Sequence, residues 1–426
     1  MSEYYKIYNL CKKIEPIFRS LTGSGNYKTL KILKKINKNL KIISFNSNSK
    51  AFDWRIPKEW NVKDAWVLDL KSKKKVIDFR KNMLSVAGYS QPVDKILNLK
   101  QIKKKIFSLK YQNNAIPYKN FFYSKDWGFC MKHKDKLKLN SQKYRVKIDS
   151  KFSNGKLFAG EIFIKGKLEK EILLTTYICH PFMANNELSG PSVLIHISNW
   201  LEKKKRKYSY RILFTSETIG AISYINKNYA QLKKNVVGGY VITCVGDEKE
   251  YSYLKTKKEN TLSDEVALEV LNKIQSKKKI YKWKDRGSDE RQYNSPGVDL
   301  NIGSLMRSKY NTYREYHTSL DKLGKVVTAK GLNQSFGFLK KVIENFEKKI
   351  IPISTVICEP FLSKRKLYFT QRIKGSFNKH KKNIWDIISY SDGNFSLDTI
   401  IKNLNISKNT GIKILKILKK NKLVKY

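Results

Sequence analysis

Ile172-Leu173-Leu174-Thr175-Thr176-Tyr177-Ile178-Cys179-His180-Pro181-Phe182-Met183-Ala184-Asn185-Asn186-Glu187-Leu188-Ser189-Gly190-Pro191 is the stretch around which the chain is organised. Its first seven residues are apolar or β-branched, the pattern of a strand buried on both faces. Pro181 ends that strand, because it has no N–H to give to a ladder. The polar residues Asn185, Asn186 and Glu187 then lead into Ser189-Gly190 and an apolar run from Val193 to Leu201 that reads as a helix. This order puts His180 at the carboxyl end of a central strand and Glu187 near a helix start, where open α/β sheets collect ligands and catalytic groups. A histidine there also has a plain structural use as a strand cap, so its neighbours decide.

Working outward, the middle of the chain alternates buried-strand patterns (173–178, 210–215, 239–245) with helical stretches (192–204, 220–233, 263–277). Such alternation predicts an α/β fold: a mostly parallel sheet with helices on both faces and right-handed crossovers. The strand ends carry His180, Glu217 and, on a third strand, Cys244 with Asp247. A dense polar loop follows, Arg286-Gly287-Ser288-Asp289-Glu290-Arg291-Gln292. After a strand-like run at 298–302 comes Tyr313-Arg314-Glu315-Tyr316-His317-Thr318-Ser319-Leu320-Asp321, and an amphipathic helix at 332–346 closes the domain. His196 falls on the apolar face of the helix after the central strand and reads as packing.

Upstream, apolar positions at helical spacing over 3–20 and 26–40 predict two packing helices, so residues 1–50 are expected to lie against the central domain. Residues 52–79 look like short strands with turns and are rich in aromatics, including Trp54, Trp60 and Trp66, and alternation at 144–148 and 156–164 marks further strands, so 51–160 is taken as one unit. They read as an inserted β-rich unit placed to cover the strand ends as a lid, with a short helix expected at 99–109 and an extended link at Ala115-Ile116-Pro117-Tyr118. The α/β domain is expected to span 161–355. From Phe377 the character changes, and three short helical patterns within 356–426 have the size and order of a winged-helix module.

Composition narrows the function classes less than its extremes suggest. Lysine and arginine number 87 against 36 acids, a net charge of +51. An excess this large ordinarily points to nucleic acid or an anionic surface. Here the lysines are spread through every segment together with many Ile and Asn residues, which is the mark of compositional drift rather than of a binding patch. Nucleic-acid binding is therefore expected only if the C-terminal helices supply it. The five cysteines, Cys11, Cys130, Cys179, Cys244 and Cys358, are odd in number and scattered, so neither a disulfide framework nor a zinc knuckle is expected. A reduced, cytoplasmic setting follows. No stretch is apolar enough to cross a bilayer, and the first twenty residues interrupt their apolar positions with Lys12, Lys13 and Glu15, unlike a signal peptide.

The chemistry rests on rarity. Only five histidines are present, and His180 and His317 both lie in polar loops after apolar strands. Two imidazoles and a carboxylate, with one position left for water, make a catalytic zinc shell. Glu217, on another strand end, is placed to act as general base while the metal polarises a carbonyl.

The ordered set His180-Pro181, Asn186-Glu187-Leu188-Ser189-Gly190, Glu217-Thr218-Ile219-Gly220, Ser288-Asp289 and Tyr316-His317-Thr318-Ser319-Leu320-Asp321 resembles the zinc-dependent exopeptidases of the co-catalytic aminopeptidase superfamily. Across nearly its whole length the chain resembles, more closely, bacterial aminopeptidase-like proteins with an inserted β-domain and a C-terminal winged helix. Phe52-Asp53-Trp54, Gly88-Tyr89-Ser90, Trp127-Gly128-Phe129-Cys130, Cys244-Val245-Gly246-Asp247 and Cys358-Glu359-Pro360 carry that closer likeness. The resemblance implies metal binding by His180 and His317 and water activation by Glu217. It also exposes departures. Asn186 stands where the aminopeptidases have a bridging Asp, with Glu187 one position later, and Thr218 stands where a second Glu would bind metal. A neutral amide holds a cation less well than a carboxylate. One zinc ion, held by His180, His317 and Glu187 or Asp247, is therefore expected in preference to two. Asn186, Asp289, Glu290, Arg291 and Tyr316 are the expected substrate contacts.

Two functions follow from this reading. One is a metal-dependent hydrolase that cleaves a small peptide or another amide with metal-activated water. The other is a non-catalytic ligand-binding or regulatory protein with a degenerate metal site, motivated by Asn186 and Thr218. Self-association stays open on the sequence.

Overall fold

The structure, a computed structural model, describes residues 3–367 and 379–426. Its centre is an eight-stranded sheet. In chain order the strands are β1 (Lys41–Asn46), β2 (Lys156–Ile164), β3 (Glu171–Tyr177), β4 (Ser209–Thr215), β5 (Val236–Ile242), β6 (Tyr251–Leu254), β7 (Lys278–Tyr281) and β8 (Ile302–Met306). Across the sheet they lie in the order β1-β2-β4-β3-β5-β8-β6-β7. The inner neighbours β4, β3, β5 and β8 run parallel, as does the pair β6 and β7. The pairings of β1 with β2, β2 with β4 and β6 with β8 are antiparallel. The sheet is thus parallel where the site is built and mixed towards its edges.

Every residue of β3 and β4 is buried, which explains their unbroken apolar runs. The helices are α1 (Glu3–Ile14), α2 (Ser24–Ile36), α3 (Ser189–Glu202), α4 (Ile219–Asn235), α5 (Leu262–Asn272) and α6 (Ala329–Lys348). Alternate residues of β3 feed opposite cores. Ile172 and Leu174 pack with α1, α3 and α6 residues such as Leu10, Leu194 and Leu339, whereas Leu173 and Tyr177 pack with Ala221 and Tyr224 of α4.

Three expectations shift. Residues 298–302 are not the strand; β8 begins at Ile302, because Asp299 and Asn301 adopt left-handed φ of 42° and 57° and break the extended run. The helix expected over 99–109 ends at Lys104, and Ile106–Phe107 instead pairs with Phe129–Cys130. A boundary at 160 cuts through β2, which belongs to the eight-stranded sheet.

The rest of the inserted segment forms its own antiparallel sheet, in the order Lys75–Asp78, Glu59–Asp69, Lys143–Ser153, Val93–Asn98. Its core includes Val67, Phe129 and Val146. At the C-terminus α7 (Lys379–Ser389), α8 (Leu397–Asn403) and α9 (Lys408–Lys420) share a core of Ile387, Ile400, Ile414 and Leu418. There Val424–Lys425 pairs antiparallel with Ile353–Ser354. Phe377, where the sequence changes character, lies outside the described residues. Among the described residues no helix is long and apolar enough to cross a membrane.

Candidate metal and active site

The carboxyl ends of β3 and β4 and the loops before α6 converge as the sequence pattern requires. His180 follows β3, and its carbonyl accepts from the buried Arg19 Nε at 3.1 Å. After it, residues Ala184–Leu188 form a single π-helical turn before α3, and such turns recur at functional sites. Asp321 fixes that turn: its carboxylate accepts from the backbone N–H of Asn185 at 2.7 Å and of Asn186 at 3.1 Å, and from the Tyr313 hydroxyl at 3.1 Å. Four strand-end loops each hold a non-glycine residue in the left-handed region, namely Phe182 (φ 68°), Thr218 (62°), Cys244 (51°) and His317 (54°). Left-handed backbone costs such residues roughly 1–2 kcal/mol apiece, and the packed surroundings must outweigh it.

His180 and His317 meet. Their ring centres are 5.4 Å apart. Two imidazoles bound to one tetrahedral zinc through bonds of about 2.0–2.1 Å have centres roughly 5 Å apart, so the separation suits a shared ion. Nε2 of His180 also lies 3.8 Å from Oε2 of Glu217, and Oε1 of Glu217 accepts from Ser288 Oγ at 3.1 Å. On the other side of the ring, Nδ1 of His180 is hydrogen-bonded to Oε1 of Glu187. That pairing fixes the ring of a metal-binding histidine and leaves Nε2 free. Cys179 Sγ is 3.3 Å from the same Nδ1. Among the described residues Cys179, His180 and Glu187 form a group whose donor atoms lie within 4.8 Å of one another. His180 therefore offers two faces, one towards Cys179 and Glu187, the other towards Glu217 and His317.

The electrostatics differ between the residues of the two faces. Burial pushes the Cys179 thiol well above its ordinary pKa, and Glu187 pushes it further. Burial works against a proton on His180, but Glu187 and Glu217 outweigh it and raise its pKa. His317 is the reverse: burial, reinforced by His180, holds it well below its ordinary value, so its ring is neutral. Its Nε2 is buried with no hydrogen-bond partner among the described residues, and so are Glu187 Oε2, Asn186 Oδ1 and Asp289 Oδ2. A buried polar atom without a partner is costly. A neutral imidazole and a second imidazole oriented by a carboxylate are donors of the kind that bind zinc, with Glu217 beside them as a base; among the described residues it is Cys179, His180 and Glu187 that bring three donor atoms within 4.8 Å of one another.

Other expected residues have different surroundings. Asp247 accepts from Asn185 Nδ2 at 3.0 Å, Lys249 N at 2.9 Å and Ser308 N and Oγ at 2.9 and 3.0 Å, so both of its oxygens are engaged in tying loops together. Glu290 is likewise engaged, by the N–H groups of Gly287 and Ser288 and the hydroxyls of Ser304 and Tyr310. Both were expected at the site, and both act here as structural acceptors. Asp289 Oδ1 accepts from Thr218 N at 2.6 Å, and burial followed by Glu217 holds its carboxyl well above the usual range. Arg291 is exposed; it donates to Ser288 O at 2.9 Å and to Thr218 Oγ1 at 3.3 Å, without pairing with Asp289. Asn186 Nδ2 donates to Tyr177 OH at 3.2 Å. Tyr316 stacks on His317 with ring centres 3.9 Å apart. His196 is buried on its helix with Nδ1 2.8 Å from Ser192 O, a packing role.

Tyr118 is the participant that sequence reasoning passed over. The link 115–118 runs antiparallel to the His317 loop through a Pro117–Thr318 bridge, and Tyr118 N donates to His317 O at 2.8 Å. Its ring lies edge-on to both histidines, 4.8 Å from His180 and 5.2 Å from His317. The inserted segment thus contributes a side chain to the centre, and the extended Ile116-Pro117 run before a tyrosine was the only signal for it.

Comparison with known proteins bears on the fold and the family. The family described as a domain of unknown function (DUF4910) matches residues 8–349. A Clostridium acetobutylicum protein, provisionally named for polysaccharide biosynthesis with an aminopeptidase-like domain, is 42% identical over 364 residues, 85% of this chain and 83% of that one. The crystal structure of a provisionally assigned peptidase from Clostridium acetobutylicum superposes with a TM-score of 0.80 at 38% identity, covering 99% of this chain and 96% of that one. A zinc aminopeptidase from Bacillus subtilis reaches a TM-score of 0.59 at 14% identity over 81% of this chain and 95% of its own, a likeness of fold. The chain is a member of the DUF4910 family, built on the fold of the zinc aminopeptidases.

Proposed function

We propose that this protein is a zinc-dependent hydrolase that cleaves a small peptide or another amide, such as an aminoacyl group on a sugar precursor. The observation that carries the reading is the approach of the His180 and His317 ring centres to 5.4 Å, with Glu217 beside His180 and the buried Nε2 of His317 without a hydrogen-bond partner among the described residues. His180 and His317 would hold the ion with carboxylate help, and Glu187 would orient His180. When bound, zinc polarises the substrate carbonyl and makes water a better nucleophile.

The protein's own groups then divide the work. Glu217 takes a proton from the attacking water and delivers it to the leaving nitrogen. Burial raises the pKa of this carboxyl against the pull of His180, with Glu187 adding to the rise, which brings it closer to the value that such a shuttle needs. Ser288, hydrogen-bonded to Oε1, keeps Oε2 turned towards His180. Tyr118, over both imidazoles, keeps bulk water from that side. Asn186 and Thr218, both neutral, favour one ion over two.

The test uses the purified full chain with its metal content measured and a panel of aminoacyl amides as substrates. Glu217→Gln is expected to retain zinc while turnover falls about 10²–10⁴-fold, the usual range for a general acid–base group. Stoichiometric zinc without hydrolysis of any amide would instead favour the ligand-binding reading, in which the centre holds an amide and does not cut it.

A further inference from the structure

Within the inserted segment, beside the loop 121–125, lies a groove of about 530 Å³, inside the size range of small-molecule sites. The cavity lined by Arg19, Tyr118 and Pro181, by contrast, is about 10 Å³, room for one water. Five aromatic side chains line the groove: Tyr89, Phe121, Phe122, Tyr123 and Phe152. Tyr123 is 74% exposed, yet it is supported edge-on by Phe122 at 4.7 Å and by Trp54 at 6.1 Å. A large exposed ring on so firm a base is a platform rather than a loose tip.

The remaining lining is as informative as the rings. It contains no carboxylate and no aliphatic side chain of the kind that would receive a leucine-like residue, but it does contain Lys58, Lys125 and the Gln91 amide. Rings flanked by ammonium and amide donors suit a pyranose, which packs C–H faces on aromatics and offers hydroxyls at its edge. Two ammonium groups without an opposing acid select a negative substituent.

We propose that this groove binds an anionic saccharide, a sugar bearing a phosphate or carboxylate. This rests on the hydrolase reading for its use, though the binding itself does not. The test is isothermal titration of the full-length, zinc-containing Glu217→Gln protein with N-acetylglucosamine 1-phosphate, so that binding is read without turnover. Saturable binding is expected, with Tyr123→Ala weakening it by roughly tenfold or more, as loss of a stacking ring does elsewhere, and Tyr123→Phe keeping it. Neutral N-acetylglucosamine is expected to bind more weakly than the phosphate. Absence of binding to the intact groove, equal affinity in the well-folded Tyr123→Ala protein, or equal affinity for the neutral sugar overturns the proposal, whatever Glu217 does to turnover.

Discussion

At His317 two demands meet in one residue: a left-handed backbone (φ 54°) and a buried Nε2 with no hydrogen-bond partner among the described residues. Neither is favourable by itself, and the proposed metal role would account for their coincidence on a ring next to His180. His180, Glu217 and His317 stand out in the sequence as scarce side chains after apolar strands, and the fold brings Glu217 and His317 beside His180. Asp247 and Glu290 looked the same in the sequence, yet their oxygens are taken up by neighbouring N–H and O–H groups that only folding supplies. Tyr118 was hidden for the opposite reason, since its partner loop lies about two hundred residues away. Asp321 supplies a test at this scale. Burial raises its pKa to about 7 from an ordinary 3.8, despite the hydrogen bonds it accepts from Asn185, Asn186 and Tyr313. A carboxyl whose folded pKa is raised binds its proton more tightly in the folded state, so its stabilising effect is full below about pH 4 and is lost as pH rises through about 7. The urea midpoint is therefore expected to fall between pH 5 and pH 8 in the parent protein and to fall less in Asp321→Asn. An identical pH slope in the two proteins would remove Asp321 from the account.

At the scale of elements, α3 sits flat on the sheet because Gly190 lets it. A Cβ there would stand 2.4 Å from Thr176 Oγ1 and 2.5 Å from the Ile242 carbonyl oxygen, on the neighbouring strands β3 and β5. The π turn that carries Asn186 and Glu187 immediately precedes this contact, so the close approach also sets how deep Glu187 reaches towards His180. Gly190→Ala is expected to destabilise the fold by about 1–3 kcal/mol, the usual result of overpacking, and to weaken zinc retention. Denaturation and metal analysis of the variant check both, and a variant with parental stability contradicts the packing described. The inner strands were readable from the sequence because burial on both faces leaves an unbroken apolar run. The short strands β6 and β7 were not read, since four residues give too little period to see. The expected boundary at 160 divides strand β2, because alternation reveals a strand but not which sheet it joins.

At the scale of the molecule, distant segments are held by a few buried polar joints. Lys349 is one: its ammonium, on a side chain only 3% exposed, meets Glu265 and Glu269 of α5 (2.7 Å to the latter) and Asp398 of α8 at 3.1 Å. Burial alone would lower its pKa, but hydrogen bonds to Glu265 and Glu269 raise it above the ordinary lysine value. Lys349→Met leaves Glu265 and Glu269 without this counter-charge, while Asp398 keeps Lys408 at 2.9 Å, and is expected to cost about 1–3 kcal/mol for the lost charged hydrogen bonds, seen as a lower melting temperature and faster proteolysis between residues 350 and 396. Unchanged melting would show that the C-terminal helices are held by other contacts. The largest claim at this scale is that segments beginning at His180, Glu217 and His317, with the Tyr118 link laid across them, fold into one metal centre. X-ray absorption at the zinc edge of the purified protein tests it most directly. The account predicts about one zinc per chain in a nitrogen and oxygen shell near 2.0–2.1 Å with two imidazoles, one of them lost in His317→Ala. A sulfur neighbour near 2.3 Å, as Cys179 would supply, or a shell unaltered in His317→Ala, would contradict it.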